Sequence, residues 1–498
     1  MKGPKDKLNR RNFFSTVAVA GASVALTGAC KSPTPAVHSR KLLPNVVLVT
    51  SDQQRADAVG YVSGDRVITP NIDRLAARGV SFTGCHSANP VCIPSRMSTY
   101  SGLLPHRHGT LYNQWERLLP NAENTMLGLF LERGYRTCWL GKNHTYVDEI
   151  LQGLDHYDHL GREASRGSYP LDCSPWWHGL LAEGEAASNA RRVTNQAVEF
   201  LRSHRSEPIF LSLNYFDPHP PYFCPQEYYE LYRDKEIKLH ADPAAGRLES
   251  RFRNYRRCYG LESLPDVALQ ETMHYYYGAV SLVDAQVGIL LDELERLDME
   301  KNTVVIFCSD HGDFMGEMHA VRKGMFLYDA LLKVPLVVRG PGLPTGLRLE
   351  APVQTTDLLP TLCQLLESPL PEGLDGVSLL DCLRGEQTPD QGRMVFAAAS
   401  YGHTDPDVPV DRDSLEPDWQ TEPDWRIKQN EMLLGQDGIT VMAANADWKY
   451  IRNSHWGDRD ELYRRGPGMG DFDNLIAEPE NEKIVKEFEA EANKIFVQ

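Results

Sequence analysis

The fold class follows from residues Asn45–Gln54, which read NVVLVTSDQQ. The first part of this run, Asn45–Thr50, is rich in β-branched and aliphatic residues and lacks the strict alternation of a half-buried strand. A strand of this composition is buried on both faces, as the strands of parallel sheets are. It ends in polar residues that begin at Ser51, and open α/β sheets bind their ligands at the carboxyl ends of their strands.

Two later segments repeat this pattern of a buried strand that ends in polar residues. Pro208–Leu213 is followed by Asp217–His219, and Thr303–Cys308 is followed by Ser309–Gly312. Helical patterns separate these strands, at Asn71–Arg78, Met126–Arg133, Val193–His204 and Tyr275–Leu297. Strands that alternate with helices predict an α/β fold, with a mostly parallel central sheet flanked by helices. The three polar strand ends should therefore meet at one edge of the sheet.

The pattern changes after about residue 385. Residues 404–424 contain eight acidic residues, one arginine and four prolines, which is typical of a loop. Gly438–Ala444 and Trp448–Arg452 read as two short strands joined by a turn, and Glu480–Phe496 reads as an amphipathic helix. We therefore predict a larger catalytic domain at residues 45–385 and a smaller C-terminal α+β domain at residues 386–498.

The composition limits the classes of partner. Of the 498 residues, 42% are hydrophobic and 24% are charged, which is ordinary for a folded protein and excludes a mostly disordered chain. The net charge of −16, without a run of Lys and Arg, argues against nucleic acid and anionic membrane surfaces as partners. Any site for an anionic substrate must then be a local pocket of positive charge.

The amino terminus has the layout of a sorting signal. Basic residues up to Arg11 precede a run of small and apolar residues, Phe13–Ala29. Arg10 and Arg11 resemble a twin-arginine signal, and Leu26–Cys30 resembles a bacterial lipobox with Cys30 as the lipid anchor. A plain cleaved signal stays open, because a threonine stands where the lipobox usually has leucine. We predict a signal at residues 1–30, a linker at residues 31–44, and export to the periplasm or the bacterial cell surface.

The most specific motif is CIPSR at Cys92–Arg96, followed by Ser101-Gly102. It resembles the signature of the sulfatase family, within the alkaline-phosphatase-like superfamily. Four supporting blocks occur in the family's order: Thr69–Ala76, Gly134–Thr137 with Gly141–His144, Asp217–Tyr222, and Ser309–Gly312. Five ordered blocks are far more specific than the first motif alone. The resemblance extends from Asn45 to Leu475 and implies an alkaline-phosphatase-like fold.

The resemblance implies that Cys92 is the nucleophile, after a formylglycine-generating enzyme has oxidised it to formylglycine. A hydrated aldehyde carries two hydroxyl groups on one carbon. One can attack sulfur and displace the alcohol, and the other can then lose its proton and expel sulfate. An ordinary serine would keep a stable sulfate ester. The resemblance further implies that Arg96 holds this nucleophile.

The resemblance also implies a divalent metal ion. The residues that match the family's ligands are Asp52, Gln53, Asp310 and His311, together with the converted Cys92. Many family members carry two aspartates where this chain has Asp52-Gln53, and Asp-Asn where it has Asp310-His311. The oxygen ligands favour Ca²⁺. Mn²⁺ stays open, because imidazole is more usual as a ligand of transition metals.

Four Lys and His side chains match the family's residues around sulfate and the nucleophile. Lys142 and His144 match the lysine that binds sulfate and the histidine that contacts the nucleophile. His219 and Lys323 match a second pair, which contacts sulfate and can protonate the leaving oxygen. The neighbouring Arg322 or His319 could fill the role of Lys323 instead.

The predicted function is the hydrolysis of sulfate esters to sulfate and an alcohol, on a sulfated small molecule or, more specifically, a sulfated carbohydrate. One alternative is a phosphonate monoester or phosphodiester hydrolase, because relatives of that class also use formylglycine and match the Asp52-Gln53 pair. A second alternative is a non-catalytic protein that binds a metal or a glycan, in which Cys92 is never converted.

Overall fold

The computed structural model describes residues 43–160, 178–181, 184–239, 249–400, 439–453, 459–466, 471 and 473–496. The predicted signal, nearly all of the linker and the acidic loop at residues 404–424 lie outside the described residues. Within the described ranges, none of the helices is both long enough and apolar enough to cross a membrane.

The described chain contains strands and helices throughout. The strands are β1 Asn45–Ser51, β2 Val80–Phe82, β3 Cys85–His86, β4 Arg136–Lys142, β5 His156–Leu160, β6 His178–Leu180, β7 Ile209–Asn214, β8 Tyr222–Cys224, β9 Thr303–Ser309, β10 Leu336–Arg339, β11 Leu347–Leu349, β12 Val353–Gln354, β13 Val395–Ala399, β14 Thr440–Ala444, β15 Trp448–Arg452 and β16 Glu461–Arg464. The longer helices are α1 Pro70–Ala77, α2 Cys92–Ser101, α3 Met126–Glu132, α4 Asn189–Ser203, α5 Ser250–Cys258, α6 Asp266–Arg296, α7 Leu358–Leu365 and α8 Glu482–Phe496. Single helical turns lie at Gly60–Ser63, Pro105–His108, Asp148–Leu151, Gln226–Tyr229, Asp329–Leu332 and Leu380–Leu383.

The central sheet has eight strands in the order β11-β2-β10-β9-β1-β7-β4-β5. Only β10 runs against the others in this sheet, since it pairs antiparallel with both β9 and β2. Every residue of β1 is buried, with Val46 and Leu48 in a different apolar cluster from Val47 and Val49. The first cluster includes residues of α3 and α7, and the second includes residues of α4 and α6. The prediction of a mostly parallel sheet flanked by helices is confirmed.

The strand register aligns the polar strand ends. Ser51 of β1 pairs with Ser309 of β9, so the residues that follow these two strands emerge side by side. On the other side of β1, β7 pairs with β4 through Asn214 and Gly141. Gly141 has a φ of 85°, and a Cβ there would lie 1.9 Å from the Asn214 carbonyl oxygen. Only glycine allows this approach, which places Lys142 next to the end of β7.

The C-terminal part is an antiparallel sheet in the order β13-β14-β15-β16, covered by α8. The helix buries Phe488 and Ala492 in the same cluster as the apolar residues of the sheet. The predicted hairpin and terminal helix are confirmed, and β13 and β16 complete the sheet. Asn89 Nδ2 donates to the carbonyl oxygen of Ala398 at 2.7 Å, which ties the sheet to the loop before α2. The boundary between residues 385 and 386 stays a prediction.

Candidate active site

The site is centred on the thiol of Cys92, the first residue of α2, which is buried. Its Sγ lies 3.2 Å from His311 Nε2 and 3.7 Å from Asp52 Oδ1. Two ammonium groups approach the same atom, Lys323 Nζ at 2.8 Å and Lys142 Nζ at 3.4 Å. The ends of β1, β4 and β9 therefore meet the amino terminus of α2 around one sulfur atom.

These neighbours set the pKa of the Cys92 thiol. Burial and the charge of Asp52 raise this pKa, whereas Lys142, Lys323 and His311 lower it. The lowering is larger, and the pKa falls from its usual 9.0 to about 7. The positive surroundings thus favour negative charge at this position, although the chain as a whole is acidic.

Other buried cysteines lack such surroundings. Burial raises the pKa of Cys308 to about 12 and holds that of Cys138 well above the usual value. Seven cysteines of the described residues are free and buried, and Cys92 is the one among them whose pKa is lowered. A small buried thiol explains most of these positions but does not explain Cys92.

The guanidinium of Arg96 is buried beneath the site and joins its carboxylates. It donates to Asp310 Oδ2 at 2.8 Å, to Asp52 Oδ2 at 3.0 Å and to Asn214 Oδ1 at 3.0 Å. Its hydrogen bonds therefore go to two carboxylates and one amide oxygen, and its interaction with Cys92 is electrostatic. Arg96 leaves the Oδ1 atoms of both aspartates for other partners.

Asp52 is ionised in these surroundings. Burial would raise the pKa of its carboxyl group, but the charges of Lys142, Arg96 and Lys323, together with the neighbouring His219, outweigh burial. They hold the pKa of Asp52 well below 3.8. Lys142 Nζ is the nearest of these cations, 2.5 Å from Asp52 Oδ2.

Four ligand atoms that could hold a metal ion lie within 4.8 Å of one another, and they belong to Asp52, Cys92, Asp310 and His311. His311 Nδ1 lies 2.9 Å from the carbonyl oxygen of Gly312, so Nδ1 carries the proton and the lone pair of Nε2 is available to the groups around Cys92. A backbone carbonyl behind the ring is the arrangement that metal-binding histidines usually show.

The amide of Gln53 adds a fifth donor. Its Nε2 donates to Asp313 Oδ2 at 2.6 Å, whereas its buried Oε1 has no hydrogen-bond partner among the described residues. A buried amide oxygen without a partner is costly in an apolar interior, and a cation would satisfy it. The oxygen, nitrogen and sulfur donors present here fit a divalent metal ion.

The two histidines predicted to contact the nucleophile or sulfate, His144 and His219, lie at the rim of this cluster. His219 has a side chain that is 22% exposed, and its Nε2 lies 4.0 Å from Asp52 Oδ1. His144 packs edge-to-face on Trp115 with ring centroids 4.5 Å apart. Burial and the nearby charges of Lys142 and Lys323 hold the pKa of both imidazoles well below 6.5.

The structure distinguishes the three candidates for the residue that contacts sulfate and protonates the leaving oxygen. Lys323 Nζ contacts the Cys92 thiol and also lies 3.1 Å from His311 Nε2. The guanidinium of Arg322 lies over the ring of Tyr259, 5.1 Å from its centroid. His319 Nε2 lies 2.8 Å from the carbonyl oxygen of Leu264. Of the three, Lys323 is the one in contact with Cys92.

A family comparison agrees with this geometry. The family model described as Sulfatase matches residues 44–368, well over half of the chain. The chain belongs to the sulfatase family. It is therefore a sulfuric ester hydrolase, and its central sheet is the alkaline-phosphatase-like sheet that the ordered motifs imply.

Individual relatives also support the membership of this chain in the sulfatase family. The chain is 30% identical over 370 residues to an uncharacterized sulfatase, YidJ, of Escherichia coli K12, covering 68% of this chain and 70% of that protein. It is 26% identical over 471 residues to an ulvan-active sulfatase of Formosa agariphila, and the match covers 91% of this chain and 80% of that protein. A phosphonate monoester hydrolase from Silicibacter pomeroyi has a similar fold, with a TM-score of 0.74, 22% identity and coverage of 91% and 94%.

Sequence reasoning missed three residues of the sulfatase site. Asn214 accepts a hydrogen bond from Arg96, and it lies one residue past the predicted end of its strand. Asp313 lies one residue past the quoted block Ser309–Gly312 and binds the Gln53 amide. Tyr222 ends the third supporting block and donates to Asp313. Their position at the end of a recognised motif or strand, or one residue past it, was the signal that could have identified them.

Proposed function

We propose that this sulfatase removes sulfate from sulfated carbohydrates through a nucleophile made from Cys92. The observation that carries the proposal is the convergence of two ammonium groups, those of Lys142 and Lys323, on one buried sulfur atom. A sulfuryl group is an anion with several oxygens, and fixed cations stabilise the charge that develops on them. The ulvan-active relative, which aligns over 91% of the chain, supports a carbohydrate substrate.

The nucleophile is formylglycine, formed when a formylglycine-generating enzyme oxidises Cys92. Once converted and hydrated, the residue supplies one hydroxyl that attacks sulfur and displaces the alcohol, and a second that loses its proton as the bond to sulfate breaks. Lys142 binds the sulfuryl oxygens, and His144 contacts the nucleophile. His219 and Lys323 also contact the sulfuryl group, and the Lys323 ammonium can donate a proton to the leaving oxygen.

A divalent ion completes the site, held by Asp52, Gln53, Asp310, His311 and the converted Cys92. When bound, such an ion polarises a sulfuryl oxygen and favours ionisation of the attacking hydroxyl. Gln53 Oε1, which has no hydrogen-bond partner in the described part of the chain, and the lone pair of His311 Nε2 beside the Cys92 thiol support this assignment. We propose Ca²⁺ on the number of oxygen donors, with Mn²⁺ as the alternative that the imidazole favours.

The predicted amino-terminal signal supports a location for this chemistry outside the cytoplasm. We propose that residues 1–30 direct export to the periplasm or the cell surface, with Cys30 as a lipid anchor in the second case. Sulfated polysaccharides are met outside the cell, which agrees with a carbohydrate substrate.

Replacing Lys323 by alanine tests which residue contacts the leaving group. We expect K323A to lower kcat/KM by about 10²–10³-fold, the range seen when one donor to a developing charge is removed. The matched control is R322A at the adjacent position, because Arg322 packs on Tyr259, and we expect it to change kcat/KM by less than about tenfold. Steady-state kinetics on an aryl sulfate measure both. A larger loss in R322A than in K323A would reverse the assignment.

A paired substrate assay tests the reaction class. The purified protein is given an aryl sulfate and the corresponding aryl phosphonate monoester at equal concentration. We expect the sulfate to be the better substrate, and a panel of sulfated saccharides then identifies the sugar. Fast phosphonate turnover beside negligible sulfate turnover would instead support the phosphonate hydrolase that the Asp52-Gln53 pair also matches.

A further inference from the structure

The backbone of Gln53 is fixed on both sides. Its N–H donates to Asp310 Oδ1 at 3.0 Å, and its carbonyl oxygen accepts from the Tyr276 hydroxyl at 3.0 Å. The residue is fully buried and has a φ of 67°, in the left-handed region. With the main chain held, rotation of the side-chain amide is the remaining freedom that decides which atom faces the metal ligands.

An amide can present either of two atoms with opposite properties. The oxygen has lone pairs and can bind a cation, whereas the NH₂ group is a donor and cannot. In Gln53 the NH₂ group is engaged by Asp313, and the oxygen is the atom without a partner among the described residues. What holds the NH₂ group therefore also determines the direction of the oxygen.

Asp313 is suited to this task because a carboxylate only accepts hydrogen bonds. Its Oδ2 accepts from Gln53 Nε2 at 2.6 Å and from the Tyr222 hydroxyl at 2.7 Å. Its Oδ1 accepts from the Met315 N–H at 2.8 Å. Both oxygens thus face donors, and all the side chains of this group are buried.

We infer that Asp313, supported by Tyr222, is a positioning residue that holds the Gln53 amide oxygen toward the metal site. The inference rests on the metal site of the proposed function and assigns a role to a residue outside the ligand set. Asp313 lies two residues after His311, so one segment supplies both a ligand and the group that orients another ligand.

The exchange of Asp313 for asparagine provides the first test. In D313N one carboxylate oxygen becomes an NH₂ group, which then faces either the Met315 N–H or the Gln53 NH₂ group. When it faces the Gln53 NH₂ group, two donors oppose each other. Rotation of the Gln53 amide by about 180° relieves this clash but turns the amide oxygen away from the metal site. We expect the affinity of metal-stripped protein for Mn²⁺ and for Ca²⁺, measured by calorimetric titration, to fall about 10–100-fold.

A double-mutant cycle separates orientation from a general effect on structure. In Q53E the introduced carboxylate faces the carboxylate of Asp313, and in Q53E/D313N it faces an amide that can donate to it. D313N should therefore weaken metal binding when position 53 is glutamine, and leave it unchanged or strengthen it when position 53 is glutamate. Y222F, which keeps the bond between Gln53 and Asp313, should change the affinity less than D313N does.

The outcomes distinguish this inference from the proposed function. If the wild-type protein binds neither ion, the proposed metal site itself is wrong. If it binds an ion but D313N and D313A bind that ion as tightly as the wild-type protein does, the positioning role is wrong. The role is also wrong if D313N weakens metal binding by the same factor with glutamine and with glutamate at position 53. D313A, which removes the acceptor without adding a donor, serves as the second variant if D313N does not fold. The state of Cys92 is measured by mass spectrometry in every preparation, because this residue is itself a proposed ligand.

Discussion

Replacing Cys92 by alanine is expected to abolish sulfate ester hydrolysis, with kcat/KM about 10⁵-fold below that of the wild-type protein. At 1.36 kcal/mol for each factor of ten, this loss corresponds to about 7 kcal/mol of transition-state stabilisation. The physical reason is that the variant has no group at the point where the ammonium groups of Lys142 and Lys323 converge. Aryl sulfate hydrolysis measures the effect.

The serine variant of the same position separates the two hydroxyl groups of the mechanism. A serine has one hydroxyl, so C92S can displace the alcohol but has no second hydroxyl to expel sulfate. We expect at most about one equivalent of alcohol per protein, and a stable sulfate ester that makes the peptide about 80 Da heavier.

The matched control for both variants is C308A, which removes a buried thiol whose pKa is raised rather than lowered. It should keep kcat/KM within about tenfold of the wild-type value, although it loses some stability. Continuous turnover by C92A would contradict the assignment of the nucleophile.

Replacing Asp310 by asparagine is the second change with a large expected effect. Asp310 Oδ2 accepts a hydrogen bond from Arg96, and the Asp310 carboxylate is one of the proposed metal ligands. The substitution preserves the shape but removes the charge, so we expect loss of the bound ion and a fall in kcat/KM of at least about 10³-fold. Arg96 also loses a buried counter-ion, which should lower the free energy of unfolding by about 3–5 kcal/mol.

Two measurements check this prediction, the metal content by elemental analysis and activity on an aryl sulfate. The control is D292N, because Asp292 pairs with Arg74 on the surface and its side chain is 66% exposed. An exposed pair of this kind contributes about 0–1 kcal/mol, so the control should keep both metal and activity. A D310N protein that is folded, fully loaded with metal and active would rule out the proposed ligand set.

The elements with strong apolar patterns could be predicted from the sequence. The strands predicted at Asn45–Thr50 and Thr303–Cys308 differ from β1 and β9 by one residue at one end. The long helix predicted at Tyr275–Leu297 in fact begins at Asp266, after Pro265. Asp266 and Val267 are exposed, and the polar residues Thr272 and His274 stand at buried positions. The apolar periodicity on which the prediction rested is therefore weaker in this part of the helix.

The residues at the ends of the central strands could also be predicted, because parallel strands bring their carboxyl ends together. Contacts between distant segments could not be predicted in this way. The hydrogen bond from Tyr222 to Asp313 joins residues 91 positions apart in the sequence, and the local pattern of neither segment indicates the other. The choice of Lys323 over Arg322 likewise depends on the path of a loop, and a sequence pattern does not determine that path.

The net charge of −16 has a different meaning once the site is known. Arg96, Lys142 and Lys323 lie within one small cluster, and they lower the pKa of Asp52 in spite of its complete burial. The acidic excess lies elsewhere in the chain, including residues 404–424. An anionic substrate therefore meets a local positive field inside an acidic protein, and the total charge does not report on the substrate.

The most direct test of the account is the mass of the peptide that contains Cys92, taken from protein produced in a host that makes a formylglycine-generating enzyme. We expect a peptide about 18 Da lighter than the thiol form, and an activity that rises with the fraction converted. An unmodified thiol in fully active protein would contradict the proposed nucleophile. A converted peptide in a protein that hydrolyses no sulfate ester would contradict the proposed reaction.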